Sequence, residues 1–163
     1  MNAPKYRTFA AAIGLLTLVI EAPKAADNPF AQFTGSWSGS GTITVQDGSR
    51  ERIRCRGTYT TSRAGDTLTL ELRCASDSYK FELQSDITYD DGNILGTWNE
   101  ANRRVYGALA GRSTSNHIQA TAQSVGFTAT LSLTTRGNSQ NVSIKSPGSE
   151  VSEVAISLAR AGR

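Results

Sequence analysis

The sequence predicts an all-β fold, a single antiparallel meander that closes into a barrel of about eight to ten strands. Three observations carry this expectation. From Gly35 to Leu158 apolar residues recur at every second position with almost no helical period, the signature of strands wetted on one face. Short clusters of Gly, Asn, Asp and Ser separate these runs, as hairpin turns require. Finally, Gly39, Gly41, Gly57, Gly96, Gly107 and Gly111 fall on the inward face, where glycine permits the coiling that closes one sheet.

The first strand turns Trp37, Gly39, Gly41, Ile43 and Val45 inward and its Ser and Thr residues outward, and Asp47-Gly48 reverses the chain. The next two strands contain the most informative feature. Cys55 and Cys74, the only cysteines, lie at mirror positions about Ala64-Gly65, so folding the segment on itself places them opposite each other. The same mirror sets Gly57 against Leu72 and Tyr59 against Leu70. A cross-strand disulfide follows, and with it an oxidising compartment. Tyr79, Phe81, Leu83 and Ile87 form the fourth strand, ended by the turn Asp90-Asp91-Gly92-Asn93. Ile94, Gly96 and Trp98 form the fifth, and Val105, Gly107, Leu109 and Gly111 the sixth. Ile118, Ala120 and Ala122 precede Phe127, Ala129, Leu131 and Leu133, and the turn Arg136-Gly137-Asn138 leads to Val142 and Ile144. Val154, Ile156 and Leu158 close the series after Ser146-Pro147-Gly148. Residues 26–32 read as a loose arm or as a cap over one barrel end.

At the N-terminus Lys5 and Arg7 precede the apolar run Phe9–Ile20, which the small residues Ala22, Ala25 and Ala26 follow. This is the pattern of an export signal, too short to span a bilayer comfortably. The expected organisation is therefore a signal peptide over 1–25 and one barrel domain over 26–163, periplasmic or secreted, with no transmembrane segment in the mature chain. Loss of Lys5, Arg7, Lys24 and Glu21 with residues 1–25 takes the formal charge from +3 to +1. Nucleic acid is thereby an unfavoured partner, because phosphate binding requires a concentrated positive field.

Phe33-Thr34-Gly35-Ser36-Trp37 resembles the Gly-x-Trp opening of the calycin barrels, the superfamily of lipocalins, fatty-acid-binding proteins and avidins. The resemblance implies a barrel whose tryptophan closes one end beneath a basic side chain of the last strand, a role open to Arg160, and it implies small-ligand binding. The chain departs from the member families: it has no lipocalin Thr-Asp-Tyr motif, no helical lid after the first strand, and no evident set of avidin biotin ligands. A Gly-Ser/Thr-Trp echo links residues 35–41 to 96–100.

Catalytic groups are sparse. His117, the only histidine, neighbours inward Ile118 and so points outward, and neither a zinc set nor a nucleophile–base pair can be assembled around it. Asp90 and Asp91 read as turn chemistry. Enzymatic function would need Glu100, Asp86 and a tyrosine to converge in a cleft. The expectation is a non-catalytic binding protein without metal or cofactor. Its inward list is almost entirely apolar, so an internal ligand would be small and apolar, touching Trp37, Tyr59, Tyr79, Phe81, Trp98 and Phe127. Such a carrier needs a cavity of at least ~300 Å³, and the inward glycines fit either a hollow or a filled barrel. In the filled case the function moves to the outer face, where Arg52, Arg54, Arg56 and Arg73, continued by Arg50, would dock an anionic envelope component or an acidic protein.

Overall fold

The computed structural model describes residues 28–162, and the export-signal reading over 1–25 lies outside the described residues. Ten antiparallel strands follow one another: β1 (Gly35–Val45), β2 (Arg50–Thr61), β3 (Thr67–Ala75), β4 (Lys80–Asp90), β5 (Asn93–Glu100), β6 (Val105–Ser113), β7 (His117–Ser124), β8 (Phe127–Arg136), β9 (Ser139–Lys145) and β10 (Val151–Arg160). Each pairs with its sequence neighbours, and β1 pairs with β10 from Trp37 opposite Arg160 to Val45 opposite Val151, closing the barrel. No helix occurs among the described residues.

Side-chain alternation sorts the strands into an apolar interior and a polar exterior. On β2 the buried positions are Ile53, Cys55, Gly57 and Tyr59, while Arg52, Arg54, Arg56 and Thr58 are exposed. The mirror register predicted for β2 and β3 is the one found: Cys55 faces Cys74, Gly57 faces Leu72 and Tyr59 faces Leu70. The two cysteines form the disulfide. Asp91 and Gly92 both have positive φ, 45° and 84°, the geometry of a tight hairpin turn that Gly-containing pairs adopt readily.

Each tryptophan faces a glycine on the following strand, Trp37 opposite Gly57 and Trp98 opposite Gly107. At Gly107 a Cβ would stand 1.8 Å from the Gln123 carbonyl oxygen and 3.0 Å from the Trp98 Nε1. Only a residue without a side chain admits both the neighbouring backbone and the indole there.

Hairpin connectivity sends the starts of odd strands and the ends of even strands to one rim. The chain preceding β1 plugs that rim. Turn bonds from Ala31 N–H to the Asn28 carbonyl and from Phe33 N–H to the Phe30 carbonyl fold it inward, so that Phe30 and Phe33 are wholly buried. The segment foreseen as an arm or a cap is, over its described residues, a cap. The core beneath it includes Trp37, Leu68, Ile87, Ile94, Ile118 and Leu133, each no more than 1% exposed.

The interior is less uniformly apolar than the alternation suggested. Ser85, Glu100, Thr135 and Gln140 are also buried. They share the inward parity of Leu83, Trp98, Leu133 and Val142, and each meets a local need. Ser85 donates to the Thr97 carbonyl (2.8 Å), so apolar neighbours can surround it at small cost, and Gln140 is held through Nε2, which donates to Thr135 Oγ1 (3.0 Å).

Candidate functional site

The far half of the barrel is hollow. A cavity of about 270 Å³ opens at the rim opposite the cap, lined by Leu72, Cys74, Phe81, Leu83, Trp98, Phe127, Ile144 and Val154 among others. A second space of about 100 Å³ continues inward, bounded by Tyr59, Leu70, Ile87, Leu109, Ala129 and Leu131. Leu72, Leu83, Trp98, Phe127 and Ile144 belong to both walls, so the two form one apolar shaft leading from the rim toward the capped layer. Eight strands give an interior that side chains just fill, and a ten-stranded barrel is wider. The cap aromatics use that width at one end and leave it free at the other.

Four of the six aromatic residues singled out from the sequence line this shaft: Phe81, Trp98 and Phe127 near the mouth and Tyr59 at depth. Trp98 and Phe127 pack at 5.4 Å between ring centroids, and the Trp98 Nε1 donates to the Ala108 carbonyl (3.1 Å). Trp37 lies outside the walls. Its indole donates to the Phe33 carbonyl (2.8 Å) and is covered by the Arg160 guanidinium at 4.2 Å. Arg160 Nη2 in turn donates to the Gln32 carbonyl (2.9 Å). Trp37 thus belongs to the seal, with the arginine cover that the calycin resemblance implied. Tyr79 also lies outside the walls. It stacks with Phe81 at 6.5 Å and directs its hydroxyl to Glu150 (3.4 Å).

The mouth is charged where the shaft is not. Arg103 sits 4.9 Å over the Phe81 ring, donates to the Lys80 carbonyl (3.1 Å) and pairs with Glu100 at 3.5 Å. Glu100 is 5% exposed and accepts from the backbone N–H groups of Glu82 (2.9 Å), Asn102 (3.3 Å) and Arg103 (2.7 Å). Burial pushes its carboxyl pKa up, but the bonds from Glu82, Arg103 and Asn102 outweigh burial and hold it below the usual glutamate value. Glu100 therefore fixes the β5–β6 turn. Sequence reasoning weighed Glu100 only as an acid in need of Asp86 and a tyrosine, and did not single out Arg103, Glu150, Leu72 or Ile144, although the parity of Trp98 already turned Glu100 inward.

Asp86 does not join Glu100. It is exposed and accepts from the Thr69 hydroxyl (2.7 Å) on the outer wall. His117, on the β7 edge, bonds through Nδ1 to Thr134 Oγ1 (2.8 Å). The arginine face is where alternation put it, with Arg52, Arg54, Arg56 and Arg73 all exposed. Arg73 pairs with Glu82 (2.9 Å), and Arg54 and Arg56 form no ion pair among the described residues.

The fold and site define a class: a closed ten-strand meander barrel, sealed at one end and open to an apolar shaft at the other. No protein-family model matches the sequence, and no curated protein matches it. Among solved structures the barrel is similar to an S-type phycobiliprotein lyase from Guillardia theta, with a TM-score of 0.59 and 8% identity over 86% of this chain and 95% of that one. At that identity the likeness is one of fold.

Proposed function

We propose that this chain is an exported, non-catalytic binding protein that carries a small apolar ligand in the open half of its barrel. The observation that carries the reading is the shaft itself. It has apolar walls, one opening and a built seal behind it, the form of a small-molecule site. The disulfide supports a periplasmic or secreted location, because such bonds persist in oxidising compartments. The fold does not decide between carrier and catalyst, since a lyase shares it. The carboxylates favour the carrier: Glu100 is engaged by its own turn and Asp86 lies outside.

Titration with the uncharged fluorophore N-phenyl-1-naphthylamine tests this. Saturable binding at one site, abolished by Ile144→Trp with the fold retained, is expected because the added ring fills the shaft. Binding that does not saturate, or that Ile144→Trp leaves unchanged, overturns the reading.

A second reading rests on a different observation, the absence of ion pairs at Arg54 and Arg56 among the described residues, on a shallow outer concavity that Arg73 and Lys80 also line. It makes that face a dock for an anionic envelope component or an acidic protein. Binding to vesicles rich in anionic lipid should then fall steeply with salt and with the double change Arg54→Glu and Arg56→Glu. Salt-independent retention would remove this reading.

A further inference from the structure

Resting on the carrier reading, we infer that the Tyr59 hydroxyl is the polar anchor of the shaft, and that the ligand is an elongated apolar molecule that enters with a neutral hydrogen-bonding group, of the carbonyl class, at its leading end. Three observations converge on this residue. Tyr59 is 1% exposed, and its hydroxyl oxygen has no hydrogen-bond partner among the described residues. Buried polar atoms are nearly always paired, so an orphan phenol on a ring that walls a void marks a place for an absent partner. Its ring also forms part of the wall of the inner space, at the end remote from the mouth.

The sequence makes room for that hydroxyl. Gly57 lies two residues nearer the open rim on the same inward face. A Cβ there would stand 3.1 Å from the Tyr59 hydroxyl oxygen and 3.3 Å from the adjoining ring carbon. The phenol therefore leans along β2 toward the mouth, over the glycine, with its ring in the wall of the inner space. The other polar groups of the interior are unsuited to the role. The Ser85 hydroxyl is committed to the Thr97 carbonyl. The Gln140 Oε1 is also without a partner, but Gln140 lies outside the walls of either space.

The charge distribution fixes the class of the leading group. Glu100, Arg103 and Glu150, the ionic side chains that line the shaft, stand at the mouth, and the inner space has no cation. A carboxylate or phosphate driven to the inner end would be buried unpaired, which is strongly unfavourable. A ketone, aldehyde or ester carbonyl would accept the phenol's proton and leave no charge to compensate. A charged or polar tail, if the ligand has one, would stay at the rim.

Competition against N-phenyl-1-naphthylamine, using n-undecane, 2-undecanone and undecanoate as displacing probes, tests the inference in the oxidised protein and in Tyr59→Phe. The wild type is expected to bind 2-undecanone about tenfold more tightly than undecane, the size of one net buried hydrogen bond. In Tyr59→Phe the ketone preference should vanish, undecane should bind as before, and the melting temperature should not fall, since the variant removes an unpaired group. Undecanoate affinity should be indifferent to the change because its head stays at the mouth. A ketone preference that survives in Tyr59→Phe, or that is missing from the wild type, overturns the anchor while leaving the carrier reading in place. So does an undecanoate affinity that drops in the variant. Failure of all three probes and the fluorophore to bind overturns the carrier reading, and the anchor with it.

Discussion

The two ends of this barrel are made from the same materials and put to opposite uses. Each has a tryptophan facing a glycine across a strand pair, Trp37 with Gly57 and Trp98 with Gly107, and each has an arginine over an aromatic ring, Arg160 over Trp37 and Arg103 over Phe81. At the sealed end the chain before β1 supplies Phe30 and Phe33, and Arg160 donates to the backbone of that same segment. At the open end no such segment arrives among the described residues. Arg103 is held by Glu100 and the Lys80 carbonyl at the rim, and the aromatic residues become the wall of a void. Closure at one end therefore comes from a few residues of added chain laid across a barrel too wide to fill itself, and the strands need not differ.

The sharpest break of this comparison is to truncate one ring at each end. Trp37→Ala removes a buried, hydrogen-bonded indole from the sealed layer and is expected to cost about 4 kcal/mol. Phe81→Ala removes a ring that already faces a void and is only half-buried, so a loss of about 1 kcal/mol is expected. Chemical denaturation with matched slopes provides the comparison. Ligand binding should invert the order, Phe81→Ala abolishing what a folded Trp37→Ala preserves. Equal losses of stability would mean that the two ends are equally packed and that the shaft closes in solution.

The disulfide should give the next largest effect, and it sharpens the comparison by position. Cys74 lines the open cavity and pairs across β4 with Phe81, so the bond braces the hollow half. Replacing both cysteines by alanine frees a loop whose ends are 19 residues apart, for which the chain-entropy model gives about 3 kcal/mol. Hydrogen exchange is the informative readout. Protection should fall first in the rim-proximal parts of β2 and β3, around Arg54 and Ala75, while the amides near Tyr59 and Leu70 keep theirs. A uniform rise in exchange would show that the two halves are one cooperative unit and that the bond braces neither in particular.

Much of this wall was legible because its rules are local. The mirror about Ala64-Gly65 fixed a register, and a two-residue period assigned nearly every inward side chain from Trp37 to Leu158. The pairing of β1 with β10 was not legible, since it joins Trp37 to Arg160 with no turn between them. Parity alone turned Ser85, Glu100 and Gln140 inward, but they are polar, and only the three-dimensional partners show why burial is tolerated. Six aromatic residues were foreseen as one ligand surface, and four of them line the shaft. Trp37 and Tyr79 separated from the rest because distance along the barrel axis decides that matter, and a period of two carries no information about which layer a residue occupies. Whether the barrel is hollow or filled depended on where Phe30 and Phe33 go, which alternation does not address.

The smallest of the three effects concerns what keeps the mouth open. Glu100 is buried, and its two carboxylate oxygens accept from the backbone N–H groups of Glu82 on β4 and of Arg103 in the β5–β6 turn. Glu100→Gln retains one carbonyl oxygen but replaces the other with an amide that cannot accept, stranding one of those donors, at an expected cost of about 2 kcal/mol at neutral pH. The pH dependence follows from its depressed carboxyl pKa. A group more acidic in the folded than in the unfolded state stabilises fully above the unfolded value, ordinarily 4.5, and loses that contribution as the pH falls through the folded value. Unfolding free energies of wild type and Glu100→Gln measured from pH 7 down to pH 3 should therefore run parallel at first and converge below about pH 4.5. If the curves stay parallel throughout, Glu100 is not the ionised strut of the rim, and the openness of that end has to be sought in the strands themselves.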